Sequence, residues 1–328
     1  MNIFGNRVIM VLILVSLALG AVYLRVPVSV NTESQPHPPQ RLPGQYSDLV
    51  AALKNGATHD ALPSLPGGVQ EFDVVVVDNL YHFYYTNPFG KGVKYRSAER
   101  ISMIHESEEK VLFSDRAFPS VLYENGIWHL WVYDYQKSKT EHYTAQFPYG
   151  PFYVEKDSIR NKGDVNVRKS PYNYQYYAVY KNTYELKNSI GVMTANTPYG
   201  PWKDLGYIFT EATKSVWHKG EEADPSLFFS GNRAYIVFAG NPATSATDPM
   251  DRQMIGIAEL DVSLGKATTP ASVVILPEED WHKTNGSIKV YSPIILRDTI
   301  TGDRTRLFYS HNPSASTEHD AWSYILAQ

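Results

Sequence analysis

A motif that recurs after 50 residues constrains the fold of this chain more than any other feature. Phe147–Phe152 has the sequence FPYGPF and Thr197–Trp202 has TPYGPW, and a Thr-Ala pair precedes both at the same spacing. Repeats of about this period are typical of solenoids and propellers. Short β-rich runs separate the Gly and Pro residues, without the 3.6-residue period of helices. The repeat therefore predicts an all-β protein built from similar units.

Five such units follow one another along the chain. Each opens with a short strand, continues through a turn and enters an aromatic strand, and Asn-Gly and Gly-Asn pairs at several turns indicate hairpins. The opening strands are predicted at Val74–Val77, Pro119–Tyr123, Pro171–Tyr177, Pro225–Phe229 and Pro293–Leu296. We therefore predict an all-β, five-bladed β-propeller over residues 69–328, with an N-terminal segment completing the last blade. A two-sheet sandwich is the alternative, because it also uses many short strands.

An apolar run, Val8–Leu24, lies close to the N-terminus. As a helix its 17 residues would span roughly 25 Å, near the lower limit for crossing a bilayer. We expect residues 1–26 to be a cleaved signal peptide or a single membrane anchor. The propeller would then be secreted, periplasmic or anchored to a membrane outside the cytosol. Residues 27–68 are Pro-rich and polar, which predicts a linker with a short helix over Tyr46–Lys54.

The composition excludes several classes of function. The chain has 30 Lys and Arg against 34 Asp and Glu, a net charge of −4, so no basic surplus is available to neutralise a nucleic acid. The absence of cysteine excludes thiol nucleophiles, disulfides and Cys-ligated metals. The 24 tyrosines favour strands and suit surfaces that bind sugars.

Two segments carry a resemblance to a known family. Ala223–Phe229 (ADPSLFF) and Ser189–Ala195 (SIGVMTA, followed by the Gly200–Trp202 turn) resemble a blade opening and a strand-turn unit of glycoside hydrolase family 43. The resemblance covers most of residues 70–328. It implies an oligo- or polysaccharide substrate, such as an arabinoside, a xyloside or a related glycan. It also implies a site at one mouth of the channel, where three carboxyl groups act as base, acid and tuning Asp. No cofactor is implied, although a structural ion on the propeller axis is left open.

The blade openings supply the candidate catalytic carboxylates. When the openings are aligned on their proline position, only the first, with Glu71 and Asp73, and the fourth, with Glu221, Glu222 and Asp224, carry Asp or Glu. We predict Asp224 as a site carboxylate, Asp73 as the general base and Glu222 as the general acid. The alternative interpretations are that Asp224 and Asp73 fix turns through backbone amides and that Glu222 is a solvated charge.

Three further residues near these openings are predicted to bind substrate. Trp217 could stack on a sugar face, His218 is its neighbour, and Tyr291 begins the last blade. The alternative for a Trp in such a place is half-buried packing.

Three functions are compatible with these observations. The first is an exported glycoside hydrolase that acts on a pentose-containing or related glycan. The second is a catalytically inactive propeller that binds a glycan or a protein, because the family's Glu-Gly-Pro acid motif is absent from the chain. The third is a membrane-anchored enzyme that transfers glycosyl groups, suggested by the apolar run followed by a linker.

Overall fold

A computed structural model describes residues 46–55, 58–62, 65–87, 92–182, 189–242, 253–276, 290–302, 304–311 and 321–327. They belong to a compact unit, residues 41–328. The predicted signal or anchor segment, residues 1–26, lies outside the described residues. Within the described ranges, no helix is both long enough and apolar enough to cross a membrane.

Five antiparallel sheets make up most of the described chain. The first blade contains β2 (Phe72–Val77), β3 (Leu80–Thr86), β4 (Val93–Ala98) and β5 (Lys110–Phe113). The second contains β6 (Ala117–Glu124), β7 (Ile127–Asp134), β8 (Lys139–Ala145) and β9 (Tyr153–Arg160). The third contains β10 (Lys162–Lys169), β11 (Tyr176–Asn182), β12 (Ile190–Ala195) and β13 (Lys203–Tyr207). The fourth contains β14 (Glu221–Ser230), β15 (Arg233–Asn241), β16 (Met254–Asp261), β17 (Lys266–Ala267) and β18 (Ser272–Ile275). The fifth contains β19 (Val290–Asp298), β20 (Arg304–His311), β21 (Ala321–Ala327) and β1 (Thr58–Leu62). Two 3₁₀ helices, Ile101–Glu106 and Val216–His218, lie in connections.

The five inner strands form a closed ring. β2 contacts β6, β6 contacts β10, β10 contacts β14, β14 contacts β19, and β19 returns to β2. A cluster of buried apolar side chains fills each of the five interfaces between neighbouring blades. Because the sheets pack face to face around a common axis, the predicted five-bladed propeller is confirmed.

The ring closes between segments from the two ends of the propeller. β1 pairs antiparallel with β21, from Thr58 opposite Leu326 to Leu62 opposite Trp322. The sheet order is β1-β21-β20-β19, so β1 is the outermost strand of the last blade. The prediction that an N-terminal segment completes this blade is confirmed.

The helix α1 (Tyr46–Lys54) has the predicted bounds and packs onto the propeller. Leu49 and Leu53 lie on one face and enter the apolar cluster between the fourth and fifth blades. The Tyr46 hydroxyl donates a hydrogen bond of 2.5 Å to the Ile257 carbonyl on β16. The short helix therefore docks its apolar face on the fourth and fifth blades.

One predicted strand is wrong. The inner strand of the third blade is Lys162–Lys169, whereas the sequence analysis placed it at Pro171–Tyr177. An inner strand needs buried apolar side chains only at alternate positions, and Val165 and Val167 meet this need. The intervening polar residues made the segment resemble a loop.

Replacing Leu53 by Ala tests whether α1 is part of the propeller core. Leu53 is fully buried, so the truncation should lower the free energy of unfolding by about 2–4 kcal/mol. Urea denaturation of the full-length chain measures this change, with the neighbouring exposed residue Lys54→Ala as the control. Equal stability of the two variants would show that the helix does not pack as described.

Candidate active site

A small cavity lies at one mouth of the central channel, where the inner strands begin. Its volume is about 40 Å³, and it opens to the solvent. All five blades contribute to the lining, which consists of Glu71, Phe72, Phe118, Pro119, Asp164, Val165, Asn166, Asp224, Pro225, Ser292, Pro293 and Ile294.

A repeated hydrogen bond between inner strands shows which blade positions are equivalent. In each case a side-chain oxygen accepts from a backbone N–H of the next blade. The pairs are Asp73 with Val121 (2.9 Å), Ser120 with Val167 (2.9 Å) and Asn166 with Leu227 (3.1 Å).

The cavity residues lie two positions before these acceptors. Counting back two residues gives Glu71 in the first blade, Phe118 in the second and Asp164 in the third, and all three line the cavity. Ser226 and Asp224 have the same spacing in the fourth blade. Glu71, and not Asp73, is the first-blade carboxylate that lines the cavity with Asp164 and Asp224.

A β-bulge orients the cavity residue in four of the blades. Phe118, Asp164, Asp224 and Ser292 have φ angles of 50°, 47°, 47° and 50°, and each lies where the inner strand shifts register. Bulges of this kind redirect a side chain and are frequent beside active sites. The Asp224 carboxylate also accepts a 3.1 Å hydrogen bond from the Ser292 backbone N–H.

Asp164 and Asp224 form a pair of neighbouring carboxyl groups. Asp164 is only partly exposed, and its burial, together with the negative charge of Asp224, raises its pKa to about 7. Like charges at short range cannot both ionise without an energetic penalty. The pair therefore retains a proton close to neutral pH.

A lysine lies beside this pair. Lys181 is opposite Gly163 in the β10–β11 pairing, and its Nζ is 2.6 Å from Oε1 of Glu221. Burial alone would lower the pKa of Lys181, but the charges of Asp164, Glu221 and Asp224 outweigh that effect and raise it. Lys181 therefore stays positively charged and limits how far the pKa of Asp164 rises.

The Thr86 hydroxyl positions the Glu71 carboxylate. The Glu71 side chain is buried, and the Thr86 hydroxyl donates a 2.7 Å hydrogen bond to Oε2. In the ring of inner strands, the first blade is separated from the third by the second blade and from the fourth by the fifth. Glu71 therefore faces the Asp164–Asp224 pair across the channel.

An aromatic wall borders the mouth on the side of the second blade. The rings of Phe118, Tyr133 and Tyr135 lie 5.1–6.0 Å apart, and half of the Tyr135 side chain is exposed. Burial and the charges of Glu71 and Asp164 raise the pKa of Tyr135. Its hydroxyl is therefore a donor that faces the carboxylates, beside rings on which a sugar could stack.

Asp73 lies one register step below the cavity and is fully buried. Arg168 binds both of its oxygens, at 2.6 and 3.0 Å, and the amides of Val74 and Val121 donate to them at 2.9 Å. Every strong acceptor position is thus occupied. This arrangement favours a structural role for Asp73 and makes Glu71 the better candidate for the base.

Glu222 and His218 form a buried pair at the contact between the third and fourth blades. The Ser215 N–H donates to His218 Nε2 at 2.9 Å, so Nδ1 carries the proton and donates to Glu222 at 3.1 Å. Glu222 also contacts Lys214 Nζ at 3.2 Å and the Ile190 N–H at 3.2 Å. Neither residue lines the mouth cavity.

Trp217 and Tyr291 also pack within the protein. The Trp217 indole covers Gly240 and Gly256, where an added Cβ would lie 2.4 and 2.3 Å from the ring. Tyr291 is buried beside Ala223 and Ala239. Of the six predicted site residues, only Asp224 lines the cavity.

The sequence analysis missed Asp164, Lys181 and Tyr135. Asp164 could have been found from the alternation in Gly163–Val167 (GDVNV), which places Asp164 and Asn166 on one face and Val165 and Val167 on the other. Glu71 was recognised beside Asp73, but alignment on the proline favoured the wrong one of the two for the cavity.

Metal ligation has no evident site in the part of the chain that the structure describes. No three His, Asp or Glu side chains come together there as a group that could hold an ion.

Known proteins resemble this chain in sequence over one region and in fold over most of its length. The model of glycosyl hydrolases family 43 matches residues 167–297. A thermostable family-43 glycoside hydrolase has a TM-score of 0.60 and 14% identity, covering 81% of this chain and 91% of that one. A β-xylosidase has a TM-score of 0.58 and 15% identity, covering 82% and 94%.

An α-L-arabinofuranosidase from Lactobacillus brevis has a TM-score of 0.57 and 12% identity, covering 79% of this chain and 91% of that chain. No curated protein sequence matches the chain. At these identities the solved structures establish the fold alone. The family-43 sequence match covers most of the third and fourth blades and includes Asp224. The chain is therefore a five-bladed β-propeller whose fold is similar to that of family-43 glycoside hydrolases, with a sequence match to that family over residues 167–297.

Proposed function

We propose that this protein is a glycoside hydrolase that cleaves a pentose-containing or related glycan at the mouth of the channel. One observation carries the proposal: Glu71, Asp164 and Asp224 come from three different blades and line the same cavity. Hydrolysis of a glycosidic bond needs one carboxylate to activate water and one carboxylic acid to protonate the leaving oxygen. The cavity contains groups suited to both tasks.

The charges of the site assign the roles. The Asp164–Asp224 pair retains a proton near neutral pH and therefore supplies the acid. Glu71, oriented by Thr86, removes a proton from a water that attacks the anomeric carbon. The two carboxyl groups share this proton, so the pair as a whole acts as the acid. Tyr135 and Phe118 would support the sugar ring.

Independent features support the proposed substrate class and the proposed location. The related structures include an α-L-arabinofuranosidase and a β-xylosidase, which supports a pentose-containing glycan. The apolar run at Val8–Leu24 supports export, with the propeller secreted, periplasmic or anchored outside the cytosol. Intact-mass measurement of the protein after export would distinguish a cleaved signal from a retained anchor.

Glu71→Gln and Asp224→Asn should each lower kcat by about 10²–10⁴-fold, because each removes one proton-transfer group. We would measure sugar release from 4-nitrophenyl α-L-arabinofuranoside and β-D-xyloside, and from arabinan and xylan. The exposed Asp78→Asn on β-hairpin β2–β3 is the matched control. If the wild type is active and both variants keep that activity, Glu71 and Asp224 take no part in the mechanism. No hydrolysis by the wild type would favour the inactive binding propeller.

Asp73→Asn should lower stability more than it lowers activity. The substitution leaves the Arg168 guanidinium without its carboxylate partner, which costs about 3 kcal/mol of unfolding free energy when the pair is buried. Asp73→Asn/Arg168→Met should recover part of this loss. Unchanged stability, together with loss of kcat in the folded variant, would instead identify Asp73 as the base.

The activity should decline as the pH rises through about 7, because the acid must be protonated and the pKa of Asp164 is raised to about 7. Asp164→Asn should shift or abolish this limb in a kcat/KM profile. Lys181→Gln should move it to higher pH, because the positive charge that opposes the shift is lost.

The direction of the pKa shift of Asp164 can also be tested through stability, measured by thermal unfolding at several pH values. The folded pKa of Asp164 lies above its ordinary value, so the group favours folding at low pH and this contribution is lost as the pH rises from about 4 to 7. Asp164→Asn should therefore be more stable than the wild type at pH 8 and similar to it at pH 4. The opposite order would contradict the raised pKa.

A further inference from the structure

A second concave site lies at the end of the second blade opposite the mouth. β6 runs from the mouth to Glu124, and β8 runs in the same direction to Ala145, so the turns after them lie at the far end of the blade. A groove of about 430 Å³ opens there, within the usual range for small-molecule sites. It is lined by Ile127, Thr144, Gln146, Phe147, Pro151 and Tyr153, together with Ala145.

The aromatic side chains of this groove are unusually exposed. Phe147 is 53% exposed and Tyr153 is 67% exposed, and they stand on either side of the β8–β9 turn. Val154 on the outer edge strand is 62% exposed and extends the apolar surface. Large exposed apolar patches on a soluble domain commonly mark binding surfaces.

The equivalent PYGP turn of the third blade shows that the fold does not need these aromatic residues. The two copies of the PYGP turn share a cis Gly-Pro bond, and the hydrogen bonds Gly150 N–H to Phe147 O (3.0 Å) and Gly200 N–H to Thr197 O (3.1 Å) are equivalent. Where the second blade has Phe147 and Tyr153, the third has Thr197 and Lys203. The same turn thus forms with polar side chains, and the aromatic pair is specific to the second blade.

The chemistry of the groove selects its ligand. No charged side chain is among its lining residues, so an ionic partner finds no counter-charge there. Aromatic faces pack against the C–H face of a sugar, while the Gln146 amide and the Thr144 hydroxyl can bind sugar hydroxyls. Thr144 already donates to Glu155 at 2.7 Å, which leaves its oxygen as an acceptor.

We infer that the groove between Phe147 and Tyr153 is a second, non-catalytic binding site for a neutral glycan. It rests on the proposed function only for the choice of polysaccharides. Because it lies at the far end of the blade, it would hold a long polymer without occupying the mouth, and so raise the local concentration of cleavable chain ends.

Binding is tested separately from hydrolysis. Full-length protein carrying Asp224→Asn is run through gels containing arabinan, xylan or galactan, with and without Phe147→Ala/Tyr153→Ala. The double replacement should weaken retention on at least one polymer fivefold or more. Lys203→Ala, at the position equivalent to Tyr153, is the matched control and should change nothing. In the background without Asp224→Asn, hydrolysis of 4-nitrophenyl glycosides should be unaffected by the double replacement.

The remaining outcomes overturn the inference. A glycan site in the groove would be excluded if none of the three polymers retains the protein. It would also be excluded if the double variant is retained as strongly as the protein without the double replacement. Sedimentation with phosphatidylcholine vesicles that depends on Phe147 and Tyr153, without polymer binding, would assign the surface to a membrane. Polymer binding through the groove in a protein that hydrolyses nothing would sustain the inference while refuting the proposed hydrolase.

Discussion

The inner strands of the five blades line a channel side by side but share no sheet, so their facing amides need acceptors from elsewhere. Asp73, Ser120 and Asn166 supply them, each to the backbone of the next blade. These bonds fix the height of one blade against its neighbour. The mouth residues lie one register step above, which is why carboxyl groups distant in sequence are held at the same level.

The mouth of the channel brings together charged groups that lower the stability of the folded protein. Asp164 and Asp224 destabilise one another's ionised forms; Lys181 offsets part of that repulsion, whereas Glu221 adds to it. Deeper in the channel, the Arg168–Asp73 pair satisfies its partners completely. The Arg168–Asp73 pair therefore belongs to the part of the channel that supports the fold. The mutually repelling Asp164–Asp224 pair belongs to the part suited to reaction.

The features that recur along the chain could be predicted from the sequence. The features that depend on strand register could not. The PYGP repeat and the apolar openings predicted five blades, and the closure by an N-terminal strand followed from them. Asp224 was found because its blade has the regular opening. Glu71 was passed over for Asp73 because aligning on the proline ignores the bulges that offset four blades from the first. Asp164 was missed because its strand is polar at every second position.

The pairing of β1 with β21 determines when this protein can finish folding. More than 250 residues separate Thr58 from Leu326, so the contact that completes the last blade has a very long sequence separation. Such contacts form slowly, because the entropy of closing a long loop is lost before any pairing energy is gained. During synthesis β1 has no partner until the last strand leaves the ribosome. The ring therefore stays open until β21 has been synthesised.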